Sequence, residues 1–277
     1  MAWSKIKNII ILILLGANIG LLTFTVSRQA IGQQRLSTAR TDAIAFLREQ
    51  GISVQDDQVP RSMTLKPLQV NRDVEQEAVL AAALLDGDVT VDSRGAEVYR
   101  YYNGNGSVQF HRNGEFSAQF TQGSFPLEGM TMEEHGKQIL KRLNIEGEAV
   151  ERIERSAVSS ALFQEYWNSV VLLNCQATLN YENGCLVSIT GGRRLTGEPA
   201  AQSGASQPIT VATGLMRFYN AMNQPGDVFT RISSITEGYV VTSAISDPLP
   251  MTPVWNITTD VGVFQLDLLS GTTTRVS

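Results

Sequence analysis

The chain has 277 residues, 43% of them hydrophobic and 18% charged, with a formal net charge of −5. Such a balance suits an ordered globular protein and excludes wholesale disorder. An acidic chain has no electrostatic reason to seek nucleic acid, so a nucleic-acid-binding role is excluded for the bulk of the protein.

Ile6 to Val26 is an almost uninterrupted apolar run preceded by Lys5 and Lys7. Roughly twenty apolar residues are enough to cross a bilayer as one helix. The run is longer than the core of a cleaved signal peptide and no Ala-x-Ala pattern follows it, which favours an uncleaved anchor. The expected topology is single-pass at the plasma membrane, with a short cytoplasmic tail and an extracytoplasmic body. Within the run, Gly16 and Gly20 are four residues apart with Asn18 between them. Small residues at that spacing let a second helix approach closely, and Asn18 can hydrogen-bond in lipid, so Gly16, Asn18 and Gly20 are the candidate partner-binding face.

Past the anchor, Leu36, Ala39, Ala43, Phe46 and Leu47 recur at helical spacing until Gly51 ends the pattern. Met63 to Val70 alternates as a strand would. Asp73, with Gln76 three residues on, caps a second helix whose stripe is Val74, Ala78, Ala81, Ala82 and Leu85. Three short strands between Glu97 and Phe120 are joined by the turns Asn103–Gly106 and Asn113-Gly114. A second unit opens on the capping pair Thr131 and Glu134 and continues through strands at Ser159–Gln164, Ser169–Asn180 and Cys185–Thr190. The small-residue linker Thr196–Gln207 precedes a third helix carrying Val211, Leu215, Phe218, Tyr219 and Met222. Strands follow around Thr230–Ile235, Tyr239–Ile245, Pro253–Thr259 and Val261–Leu269, and Ser270-Gly271 turns into a last short one.

This order predicts an α+β fold, an N-terminal transmembrane helix followed by repeated helix-plus-antiparallel-sheet units. The expected division is an anchor over 1–28, a first extracytoplasmic domain over 29–126, and a second region over 127–277 made of two similar units, 127–195 and 207–277.

Chemistry-bearing motifs are sparse. The two histidines, His111 and His135, have no second histidine at metal spacing. There is no H-E-x-x-H, G-x-S-x-G, phosphate loop or dinucleotide fingerprint. Asp86 and Asp88, and Asp56 and Asp57, lack the further ligands of a calcium loop and read as solvated turns. Glu133 to Glu154, rich in both charge signs, reads as an exposed helical surface. Cys175 and Cys185 flank the Asn183-Gly184 turn, which does not set them opposite each other, so two buried thiols are favoured over a bridge. Tyr99 and Tyr101 share one strand face and are either core or a partner-binding patch. The residues point to no catalytic group, cofactor or metal, and the expectation is a binding protein rather than an enzyme.

Trp3-Ser4-Lys5-x-Lys7 entering the apolar helix, followed by Asn18-Ile19-x-Leu21-Leu22, resembles the start of the YycI family, accessory membrane proteins of a bacterial two-component system. Ala2 departs from the acidic residue usual there. Leu249-Pro250, Pro253-Val254-Trp255, Ile257, Gly262-x-Phe264 and Asp267 to Gly271 resemble that family's closing hairpin and also the last strands of PepSY-type modules. The resemblance implies a regulator whose helix contacts a sensor histidine kinase governing cell-wall metabolism, alongside a second, YycH-like accessory protein. The alternative it leaves open is a PepSY-like envelope module that inhibits a peptidase or assists envelope assembly.

Overall fold

A computed structural model describes residues 31–94, 98–155, 157–193, 197–202, 204–223, 229–242 and 248–276. The architecture is mixed α+β, with four helices and fourteen strands among the described residues. Helix α1 covers 31–49. A single 3-10 turn at Asp56–Gln58 and strand β1 (Leu68–Val70) lead into the first full unit. That unit is α2 (Val74–Leu84) with β2 (Thr90–Arg94), β3 (Val98–Asn103), β4 (Gly106–His111) and β5 (Phe116–Phe120). The second is α3 (Met132–Arg142) with β6 (Glu146–Glu154), β7 (Val158–Trp167), β8 (Val170–Glu182) and β9 (Cys185–Thr190). After the two-residue strand β10 (Ala200–Ala201) comes the third: α4 (Val211–Met222), β11 (Ile232–Val241), β12 (Leu249–Thr259), β13 (Gly262–Asp267) and β14 (Thr273–Arg275).

The helix starts follow from their caps. Asp73 accepts the Gln76 N–H at 3.0 Å. Thr131 accepts the Glu134 N–H at 3.2 Å while the Glu134 carboxylate returns to the Thr131 N–H at 3.0 Å, closing a capping box. Thr210 caps α4 through the Thr213 N–H. Of the expected stripe of α2, Ala81 and Leu85 are buried and Val74, Ala78 and Ala82 half-buried, while Glu77, Leu80 and Leu84 also face inward. Leu80 and Leu84 bury more apolar area than alanines would, and Glu77 follows them in because it is paired.

The first two units join through their last strands, Ala118 opposite Ile189 and Gln119 opposite Ser188. The result is an eight-stranded antiparallel layer in the order β6-β7-β8-β9-β5-β4-β3-β2. Its core holds α2 and α3 against Phe110, Phe116, Phe163 and Tyr181. The third unit is a meander, β11-β12-β13-β14, whose core is shared by α4 and α1: Ala43, Ile44 and Leu47 pack with Leu215, Phe218 and Trp255. Hydrophobic packing groups α1 with 209–268, and Phe125 and Leu127, on either side of the exposed Pro126, both pack in the core of the eight-stranded layer.

Two strands of the eight-stranded layer departed from the sequence pattern, as did the two-residue β10, which lies in the stretch read as a small-residue linker. β2 was not expected at all, and β6 falls in the stretch read as a charged helical surface. Both are outer strands of the layer, and most of β6 is solvent-exposed, so the apolar alternation that marks a strand is missing.

Candidate functional site

The expected helix-binding residues Gly16, Asn18 and Gly20 lie outside the described residues. Among the described residues no helix is long and apolar enough to cross a membrane. What the structure describes is the element that follows: α1, whose first half is solvent-exposed, with Ile31 at 53% and Leu36 at 48%. Its second half is fixed. Arg40 donates to the carbonyls of Val59 and Pro60, each at 2.9 Å, and Arg48 donates to the Val54 carbonyl at 3.0 and 2.8 Å. These charge-assisted bonds fasten the 54–60 turn onto α1, while Leu47 and Ile44 are buried beneath it.

Tyr99 and Tyr101 do not form a surface patch. Tyr101 is 2% exposed, stacks on Tyr99 with ring centroids 6.5 Å apart, and meets Phe110 edge-on. The Arg72 guanidinium sits 5.0 Å over the Tyr99 ring and forms a two-pronged pair with Glu77, at 2.5 and 2.9 Å. Glu77 is 1% exposed. Burial and the neighbouring Glu77 carboxylate push the Tyr101 phenol up to about 12.

The histidines also have structural surroundings. His135 is buried between α3 and β8, its Nδ1 3.1 Å from the Tyr181 hydroxyl. Burial first, and the nearby Arg142 second, hold it below the usual histidine range. No group of three metal-ligating side chains occurs among the described residues. Cys175 is a buried free thiol pushed up to about 12 by burial, and Cys185 is a half-buried free thiol.

A polar cluster at the seam where the third unit joins the eight-stranded layer in one sheet had no counterpart in the sequence. β8 meets β11 in a short parallel contact, Val171 to Gly238 and Leu172 to Tyr239. Beside it the Arg193 N–H donates to Glu165 Oε1 at 3.0 Å, and its guanidinium donates to the Val241 carbonyl at 2.8 Å and to Glu115 at 3.2 Å. Hydrogen bonds to Asn113 and Arg193 hold the Glu115 carboxyl below its usual range. One arginine thus ties β7, the start of β5 and β11 together. These partners are 28, 48 and 78 positions away in sequence, so no local spacing reveals them.

A groove of about 640 Å³ runs alongside the exposed half of α1, between the stretch before β1 and the stretch after β10. Leu36, Met63, Leu65 and Ile209 give it apolar walls, and Arg61 and Lys66 are its charged residues.

No family model matches the chain, and no curated protein matches it. Among solved structures it is similar to an uncharacterized protein from Eubacterium rectale, at 11% identity over 78% of this chain and 87% of that one, with a TM-score of 0.46. It is also similar to the Bacillus megaterium YpeB C-terminal domain, at 9% identity over 75% of this chain and 99% of that domain, with a TM-score of 0.35. Neither likeness bears on what this chain binds or does.

Proposed function

We propose that the protein is a membrane-anchored regulator with an extracytoplasmic body, which binds and modulates a sensor histidine kinase of a two-component system controlling cell-wall metabolism. The observation that carries this reading is the construction of α1. Only four residues separate Val26, the end of the apolar run, from residue 31, where the described helix begins. The second half of that helix is buried in the core of the third unit. An anchor leading into a packed helix couples motion of the body to motion of the membrane segment, which a loose tether would not do. The resemblance of Trp3 to Leu22 to the YycI family supplies the kinase and the second, YycH-like accessory protein as partners. No residue has a catalytic role in this reading.

Leucines at Gly16 and Gly20 test it in the full-length protein. The expected result is loss of kinase co-purification from native membranes with the circular dichroism of the body unchanged; undiminished co-purification contradicts it. The threefold helix-then-meander order favours a second reading, a PepSY-like envelope module for which the helix is attachment only. Full function with an unrelated anchor in place of residues 6–26 would support that reading over the first.

A further inference from the structure

The alternation that announces β1 begins at Met63, but pairing begins only at Leu68. Met63, Leu65 and Pro67 are half-buried while Thr64 and Lys66 are exposed, the period-two pattern of an extended chain. β1 pairs with β10 at Leu68–Ala201 and Gln69–Ala200, and the Gln202 N–H still reaches the Pro67 carbonyl. Beyond that point the two chains part, and the groove opens between them. Among the described residues, the main chain of 62–65 makes no backbone hydrogen bond. The stretch is nevertheless held in place from the sheet side: the Thr64 hydroxyl donates to Glu237 at 2.5 Å, and the Tyr239 hydroxyl donates to the Lys66 carbonyl at 2.9 Å. It is a preorganised strand edge with no strand beside it among the described residues. Such edges recruit extended peptides through main-chain pairing, with pockets for alternate side chains. The groove offers apolar walls at Leu36 and Ile209 and two exposed cations, Arg61 and Lys66, with no carboxylate among its lining residues in a chain whose net charge is −5.

We propose that residues 63–67 are a docking edge for an extended peptide segment of a partner protein that carries alternating apolar and carboxylate side chains. Its main chain pairs with 63–65, its apolar side chains enter the groove, and its carboxylates meet Arg61 and Lys66. The proposal rests on the groove and not on what residues 6–26 contact.

The test uses the purified full-length chain in detergent micelles and three capped seven-residue peptides: alternating valine and glutamate, alternating valine and lysine, and the valine–glutamate peptide with alternate backbone nitrogens methylated. Fluorescence anisotropy measures binding, and hydrogen exchange measures protection of residues 62–66. The valine–glutamate peptide is expected to bind at least about tenfold more tightly than the other two, a difference of about 1.4 kcal/mol, and to slow exchange at 62–66. Arg61→Glu with Lys66→Glu, two exposed positions, is expected to reverse the preference toward the lysine peptide. Equal binding of all three peptides, no binding of any, or a preference unmoved by the double substitution overturns the proposal. Protection of 62–66 by dihexanoylphosphatidylglycerol but not by the valine–glutamate peptide also overturns it, in favour of a lipid headgroup.

Discussion

Asn174 and Val241 exchange two hydrogen bonds across the seam: Asn174 Nδ2 donates to the Val241 carbonyl at 2.8 Å, and the Val241 N–H donates to Asn174 Oδ1 at 2.9 Å. A side-chain amide thereby continues a parallel pairing that the backbones make only at Gly238 and Tyr239. Val241 is buried, so losing the amide strands its N–H away from water. Asn174→Leu is expected to cost about 1–3 kcal/mol in urea unfolding and to speed hydrogen exchange at 239–241 before it does so at β3 or β4. Uniform acceleration across the eight-stranded layer and the third unit would mean that the seam is no weaker than the rest.

The Arg72–Glu77 pair gives a sharper stability test. Both side chains are buried, and Arg72 also donates to the Phe110 carbonyl at 3.2 Å. Removing one partner leaves the other charge buried, so Glu77→Leu is expected to lower stability by about 3–5 kcal/mol. Arg72→Met together with Glu77→Leu should recover most of that loss, because a packed apolar pair carries no stranded charge. Urea titrations of the two single variants and the double variant close the cycle.

His135 predicts a pH dependence of stability. Its folded-state pKa lies below the ordinary histidine value, chiefly through burial, with Arg142 lowering it further and Glu128 opposing. The unfolded chain therefore binds the proton more readily. Stability from this group is fully present above the unfolded pKa, near 6.5, and is lost as pH falls through that value toward the folded one. His135→Gln should flatten the stability profile just below about pH 6.5. The steeper fall at lower pH, where depressed carboxyls such as Glu115 titrate, should remain.

Two helices press a glycine against an aromatic ring of the second strand of their own unit. A Cβ at Gly136 would lie 2.3 Å from Phe163 Cζ, and one at Gly214 would lie 2.8 Å from Trp255 Cζ3. Overpacking costs typically about 1–3 kcal/mol, against a helix-propensity gain of about 1 kcal/mol for glycine to alanine. Gly136→Ala is expected to lower the melting temperature, and Gly214→Ala to lower it less, because its nearest contact is longer. Thermal unfolding of both variants checks the order.

What was legible in the sequence were the elements whose signals are local. The capping pairs Asp73–Gln76 and Thr131–Glu134 and the stripe Val211, Leu215, Phe218 and Met222 are formed by residues within a few turns of one another, and the structure uses them as read. The helix-then-strands order was legible for the same reason. β2 and β6 were not, because an outer strand with exposed charged side chains carries no buried alternation. Tyr101 is core because α2 lies over its strand, with Tyr101 packed in one cluster with Leu80, Ala81 and Leu84, which strand spacing alone does not reveal. The Arg193 cluster and the groove were invisible because they bring together β5, β7, β11 and α1, which are remote in the chain. The strand signal at 63–67 was present in the sequence, and among the described residues the main chain of 62–65 makes no backbone hydrogen bond.

The most direct test of the regulatory reading is a site-by-site photocrosslinking scan along residues 9–26 of the full-length protein in native membranes. The account predicts crosslinks to a sensor histidine kinase at positions spaced three to four residues apart, on the face that carries Gly16 and Gly20. A scan in which no position captures a kinase, while the body remains folded, would contradict it.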